Sequence, residues 1–181
     1  IDGARTVPAP AVQLWLVQAM LKGDRLDWIV QKAAELGAGR ISPVMTRRTV
    51  VRAGASTGGA KQARWRRIAR EAVQQCGRSS VPEVEAPQPL ERLWPALHAV
   101  ELAVIPTLAA ATVPLRDVLR QAGTAQQVAI LIGPEGDFTP EEVAQAERHG
   151  VRPVSLGRLT LRAETAAIAT LAMIRYALEH D

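Results

Sequence analysis

Val128-Ala129-Ile130-Leu131-Ile132-Gly133-Pro134-Glu135-Gly136-Asp137-Phe138-Thr139-Pro140-Glu141-Glu142 passes from an apolar run through a glycine-containing turn into a helix start. Residues 128–132 are short, aliphatic and uninterrupted, as a strand buried on both faces is. Thr139 suits an N-cap, Pro140 the first helical position, and Glu142 the third residue of a capping box. Gly133 and Gly136 permit positive φ and would let a ligand lie directly on the backbone. A strand, a tight turn and a capped helix put the turn at the carboxyl end of a strand, where open α/β sheets bind their ligands. Two readings stand at this point: an ordinary strand-to-helix turn, or one wall of a binding site.

Outward from this stretch the same alternation repeats. Residues 13–20 read as a first strand, and Asp24 as the N-cap of a helix with Leu26, Ile29, Val30, Ala33, Ala34 and Leu36 on its apolar face. Gly37 ends that helix, and residues 40–45 form a second strand. Residues 53–60 are rich in Gly, Ser and Thr and read as a loop. Gly54 and Gly59 have a phosphate-loop separation, but Ala60 and Gln62 stand where Lys and Ser or Thr are required. Residues 61–77 form an amphipathic helix with Trp65, Ile68, Ala69, Ala72, Val73 and Cys76 on its stripe, so Cys76 reads as a small core residue rather than a nucleophile. A short helix at 90–97, a strand at 99–105 and a helix at 115–122 lead to the opening stretch. A strand at 151–156 follows, and then a long helix at 163–179, apolar almost all round. Strands alternating with helices predict a parallel α/β sheet flanked by helices. If the strands are neighbours, the junctions at 105–107, 133–136 and 156–165 line one crevice.

The 181 residues suit one domain with a substantial core. No apolar run is long enough to span a membrane. Cys76 is the only cysteine, which excludes an internal disulfide and a multi-cysteine zinc site and fits a reducing cytoplasm. His98, His149 and His180 have no metal-ligand spacing, so no metal is expected. The chain opens without Met in a Pro-rich stretch and is expected to continue upstream. Net charge is +4, unevenly spread. Between Glu35 and Glu71 lie only basic charges: Arg40, Arg47, Arg48, Arg52, Lys61, Arg64, Arg66, Arg67 and Arg70. Such a stretch suits a phosphate backbone, or is a solvated face and loop. No Gly-x-Gly-x-x-Gly follows the first strand, which counts against a dinucleotide site, and there is no Gly-x-Ser-x-Gly.

Gly133-Pro134-Glu135-Gly136, followed by Leu156-Gly157 and then Leu161-Arg162 with Glu164-Thr165-Ala166, resembles the knotted SPOUT superfamily of RNA methyltransferases. More narrowly it resembles the bacterial 16S rRNA (uracil-N3)-methyltransferase family. Lys22-Gly23-Asp24-Arg25 with residues 31–37 resembles that family's first helix, and residues 71–78 with Pro82 its basic helix. The likeness runs over about residues 13–178. Asp137 stands where the family usually has a second glycine, and Leu159-Thr160 replace a basic–aliphatic pair.

The resemblance implies a parallel α/β sheet flanked by helices, with a C-terminal trefoil knot, a rare topology. It implies a SPOUT methyltransferase domain over residues 13–181, with residues 1–12 as a linker from an N-terminal β-barrel domain resembling PUA modules. It implies S-adenosyl-L-methionine as cofactor, 16S rRNA of the small ribosomal subunit as substrate, and a homodimer through the C-terminal helix region. The cofactor positions carried over are Pro106, Thr107, Leu131, Gly133, Pro134, Glu135, Gly136, Leu156, Gly157, Leu161 and Thr165. Arg162 is the candidate partner for charge developing on the uracil carbonyl oxygens. Glu164 is either a base or a carboxylate serving its helix start. Glu135 either orders its loop or faces the cofactor. Arg47, Arg48, Arg64, Arg67, Arg78 and Arg158 are the candidate RNA contacts. Two other functions fit the same features: a ribose 2′-O-methyltransferase, told apart by a methyl mapped to ribose, and an inactive ribosome-assembly factor, told apart by failure to bind the cofactor.

Overall fold

The computed structural model describes residues 11–50, 55–108 and 111–179. Eight strands, β1 (Gln13–Ala19), β2 (Ala38–Met45), β3 (Glu83–Val84), β4 (Gln88–Pro89), β5 (Leu102–Pro106), β6 (Val113–Pro114), β7 (Gln127–Ile132) and β8 (Val151–Ser155), form one sheet. Its order is β3-β2-β1-β7-β5-β8-β6, with β4 also on β2, and every pairing is parallel. Six helices accompany it: α1 (Arg25–Glu35), α2 (Ala55–Cys76), α3 (Trp94–His98, entered by a 3-10 turn at Leu90–Leu93), α4 (Leu115–Ala122), α5 (Pro140–Arg148) and α6 (Ala163–Leu178).

The period of two along each strand decides which layer it supports. Leu14, Leu16, Val104, Val128, Ile130 and Ile132 point to one face, where they meet Leu26 and Ile29 of α1, Trp65 of α2, Leu115 of α4 and Leu171 of α6. Trp15, Val17, Ile105, Ala129 and Leu131 point to the other, against Leu93, Trp94 and Leu97 and against Val143 and Ala146 of α5. With both faces covered, the central strands are largely apolar, Gln18 of β1 being a buried exception, and 128–132 reads as a continuous run.

Most expected elements are present, and the differences have local causes. The loop expected over 53–60 is helical from Ala55 onward, residues 53 and 54 lying outside the described part. Two glycines cost a helix roughly 1 kcal/mol each. Here they form the first turns of a helix that Trp65, Ala69, Ala72 and Val73 bury further along. Asp24 sits at the N-cap position of α1, but its side chain makes no capping bond and faces Arg64 instead, at 3.6 Å. Cys76 is half-buried at the end of α2, its thiol 3.6 Å from the Val73 carbonyl, rather than in the core. Helix α6 is not enclosed. Ala167, Thr170, Leu171, Ile174 and Leu178 face inward, while Met173 and Tyr176 are exposed, Tyr176 at 90%. Of the linker expected over residues 1–12, all but Ala11 and Val12 lie outside the described residues, and Val12 is already core. The two-residue strands β3, β4 and β6 have no sequence signature and arise from alignment against β2 and β8.

Among the described residues no helix is long and apolar enough to cross a membrane. No cluster of three or more His, Cys, Asp or Glu side chains there is arranged to hold a metal ion.

Candidate active site

Strands β7, β5 and β8 are consecutive in the sheet and parallel, so their carboxyl ends emerge side by side. Three loops leave from there: Thr107–Leu108 after β5, 133–138 after β7, and 156–162 after β8. They enclose a cleft of about 370 Å³. That is within the roughly 300–1,000 Å³ of small-molecule sites.

Each loop is held by identifiable bonds. The Thr107 amide continues the sheet by donating to the Val154 carbonyl at 3.2 Å. In the second loop the Asp137 amide donates to the Pro134 carbonyl at 2.9 Å, closing the turn. Thr139 then caps α5 as expected. Its hydroxyl accepts from the Glu142 amide at 3.2 Å, while the Glu142 carboxylate accepts from the Thr139 amide at 2.9 Å. In the third loop Gly157 has a φ of 122°, a region that favours glycine, and its amide donates to the Ser155 hydroxyl at 3.2 Å.

The two glycines of the opening stretch are used differently from the expectation. Neither Gly133 nor Gly136 has positive φ; that conformation falls on Asp137, at 62°. Asp is one of the few residues with a side chain that enters this region readily. A Cβ on Gly133 would lie 3.1 Å from Phe138 Cδ2 and 3.2 Å from Asp137 Oδ1, so the glycine makes room for protein. Gly136 is exposed and does not line the cleft. It sits beneath Arg48, whose Nη1 donates to the Gly136 carbonyl at 2.6 Å.

Of the expected cofactor positions, Pro106, Thr107, Gly133, Pro134, Glu135, Leu156, Gly157 and Leu161 line the cleft. Leu131, Gly136 and Thr165 do not: Leu131 is fully buried under the second face of the sheet, and Thr165 is exposed on α6. Arg162 lines the cleft from the N-cap position of α6 and is exposed. Glu164 does not line it; its Oε2 is buried with no hydrogen-bond partner among the described residues. Arg25, Leu108, Ile132 and Asp137 also contribute, none of them among the positions expected from the sequence, as do Leu159 and Thr160 of the expected 156–165 junction. Asp137 had a signal, being a residue tolerant of left-handed backbone beside a glycine turn. Arg25 had none, since its place depends on a partner far along the chain. Its guanidinium lies 2.8 Å from the Glu135 carboxylate, which also accepts from the Lys22 amide at 3.4 Å. Glu135 thereby orders its loop against the start of α1 and faces the cleft as well.

The basic residues divide in the same way. Arg47 and Arg67 are exposed, Arg67 with an i,i+4 contact to Glu71 at 3.8 Å, and Arg158 is exposed outside the cleft. Arg48 is exposed but tethered to the second loop. Arg64 is half-exposed and paired with Asp27 of α1, which also accepts from Trp65 Nε1 at 2.9 Å. Arg78 is placed differently. Its Nη1 donates to the carbonyls of Ala34 at 2.5 Å and Ala38 at 3.2 Å, closing the end of α1, and burial lowers its pKa from the ordinary value. Through Nη1 that guanidinium ties the end of α1 to the start of β2.

Comparison with known proteins locates this arrangement. Residues 8–175 match the RNA methyltransferase domain family. A ribosomal RNA small subunit methyltransferase E of Bacillus subtilis is 30% identical over 173 residues, covering 93% of this chain and 67% of that protein. Its counterpart in Synechocystis sp. is 33% identical over 165 residues, covering 91% of this chain and 53% of that protein. The crystal structure of a ribosomal RNA small subunit methyltransferase E from Neisseria gonorrhoeae, bound to S-adenosyl methionine, matches with a TM-score of 0.80 and 31% identity over 94% of this chain and 69% of that one. The chain thus spans between 53% and 69% of the length of these three proteins.

Proposed function

The chain belongs to the RNA methyltransferase domain family, and from that premise we propose that it methylates N3 of a uridine in 16S rRNA of the small ribosomal subunit, in the cytoplasm, with S-adenosyl-L-methionine as methyl donor. The observation that carries this reading is the three-loop cleft at the ends of β7, β5 and β8 with Arg162 at its edge. Its lining fits the donor's parts. Ile132, Leu156, Leu161 and Ala166 offer an apolar wall for a flat base, Thr107 a hydroxyl, and the Arg25–Glu135 pair opposite charges for a zwitterionic amino-acid tail.

Bound S-adenosylmethionine supplies a methyl group on a sulfonium centre. The chain's task is to hold uracil N3 in line with that methyl and to favour loss of the N3 proton. A guanidinium beside a ring carbonyl stabilises the anionic base and lowers its pKa. Arg162 is exposed and free to turn toward a base at the cleft mouth. We assign that role to it and reserve Glu164 for the helix start, because Glu164 does not line the cleft and its charge suits the first turn of α6. Arg47, Arg48, Arg64, Arg67 and Arg158 are the proposed phosphate contacts.

Two finer features belong to the same reading. The C-terminal segment is proposed to thread a trefoil knot, α6 returning to pack on α1, β1 and β7 after the third loop. The exposed side of α6, with Ala172, Met173 and Tyr176, is proposed as a dimer interface; a tyrosine left 90% exposed beside a methionine is a suitable centre for one.

The test is methyl transfer to small subunits from a strain lacking the modification, with the modified atom mapped by nuclease digestion and mass spectrometry. A methyl on uracil N3 is expected; a methyl on ribose refutes the assignment. Arg162→Ala should abolish transfer and keep cofactor binding, and unchanged turnover in that variant removes Arg162 from the mechanism.

A further inference from the structure

The Asp137 carboxylate joins two walls of the cleft. Its Oδ2 accepts from the Thr107 hydroxyl at 2.9 Å and from the Leu108 amide at 2.8 Å, both on the loop after β5. Its Oδ1 accepts from the Phe138 amide at 2.8 Å, within the loop after β7. The residue achieves this from a left-handed backbone, φ 62°, the only positive φ outside glycine among the described residues. Gly133 leaves the space that the carboxylate and the Phe138 ring occupy. The side chain is therefore placed at a conformational cost that glycine at the same position would not carry.

We infer that Asp137 is a positioning residue for the cofactor: its carboxylate clamps Thr107–Leu108 against the Gly133–Phe138 turn and sets the width of the slot between the first two loops before the ligand arrives. This rests on the cleft being the S-adenosylmethionine site. A loop already ordered does not have to be ordered on binding, so the clamp acts on cofactor affinity. Each oxygen has its own role. A carboxamide has one acceptor oxygen and one amino group, so Asn can satisfy Phe138 or the Thr107–Leu108 pair, but not both. Glycine removes the clamp and relieves the backbone at once. Affinity and stability should thus move independently at this position, whereas a merely structural residue would move them together.

The experiment uses the full chain, with Asp137→Gly, Asp137→Asn, Thr107→Val and the double variant Asp137→Gly/Thr107→Val. Calorimetric titration with S-adenosylmethionine should show about ten-fold weaker binding for Asp137→Gly and a smaller loss for Asp137→Asn, with thermal stability of the glycine variant equal to or above that of the parent. In methyl-transfer assays KM for the cofactor should rise while kcat at saturation is kept. Thr107→Val should weaken binding in the parent and weaken it less in Asp137→Gly, because the bond to the carboxylate is already gone. Binding by Asp137→Gly within about two-fold of the parent overturns the inference. A parent chain that does not bind the cofactor refutes the functional reading instead. Amide exchange then decides the clamp by itself: faster exchange at Leu108 and Phe138 in Asp137→Gly supports it, and unchanged exchange overturns it.

Discussion

Gly133→Ala tests whether the glycine of the second loop serves the protein or the ligand. The added methyl would stand 3.1 Å from Phe138 Cδ2, 3.2 Å from Cε2 and 3.2 Å from Asp137 Oδ1. Phe138 is only 3% exposed, packed in the second core cluster with its amide held by Asp137, so its ring has little room to turn away. Forcing a methyl into such a site costs about 1–3 kcal/mol. Against it stands a gain of about 0.4–1 kcal/mol from the smaller entropy of an unfolded alanine. Gly133 does not have positive φ, so no backbone strain is added. The balance is a destabilisation of about 1–2 kcal/mol. Urea denaturation reads it as a lower midpoint at unchanged slope. Phe138→Leu in the same background should show coupling, the double variant being less destabilised than the sum of the two, because a smaller side chain makes room for the methyl. A Gly133→Ala chain as stable as its parent, with no coupling to Phe138, would refute the packing argument and return this glycine to a ligand-approach role.

Three further substitutions test a bridge in the fold and separate fold from RNA contact. Glu142 is 3% exposed and accepts from the Arg47 amide at 2.8 Å and the Thr139 amide at 2.9 Å; Glu142→Gln puts an amino group against one of them and should cost about 2 kcal/mol, with faster amide exchange at Arg47 or Thr139, and wild-type stability would disprove the bridge. Arg78→Met keeps the aliphatic stem but leaves the Ala34 and Ala38 carbonyls uncapped, so it should lower stability by about 1–2 kcal/mol and leave the salt dependence of RNA binding alone, whereas Arg67→Ala should reduce that slope by about one unit; the reverse pattern would restore Arg78 to the RNA contacts.

What could be read from the sequence was whatever depends on neighbours in the chain. The β7 run was legible because both faces of that strand are buried, so no polar residue interrupts 128–132. The α5 start was legible because Thr139, Pro140 and Glu142 act on one another within a single turn. The Gly-rich start of α2 was misread for the same reason. Its local composition argues for a loop, and what holds it helical is the packing of Trp65 and residues beyond it. Arg78 reads as one more surface charge until α1 and β2 bring two carbonyls to it from about forty residues away.

The candidate site was legible only by half, and the division is physical. The three strand-to-helix junctions follow from alternating strands and helices, and the resemblance implied that they share one cofactor cleft, so Pro106, Thr107, Pro134, Leu156 and Leu161 were expected there and are there. Which residues of each turn face inward depends on contacts across the chain, such as Arg25 on Glu135 and Arg48 on Gly136, the latter 88 residues apart. A glycine in a turn is compatible with positive φ, with close approach of a ligand, and with close approach of protein, and its letter is the same in each case. At Gly133 the third applies, because Phe138 and the Asp137 carboxylate occupy the space. At Gly136 the long side chain of Arg48 crosses over it. The positive φ expected of the glycines is taken by Asp137, where a side chain, rather than its absence, ties two walls of the cleft together.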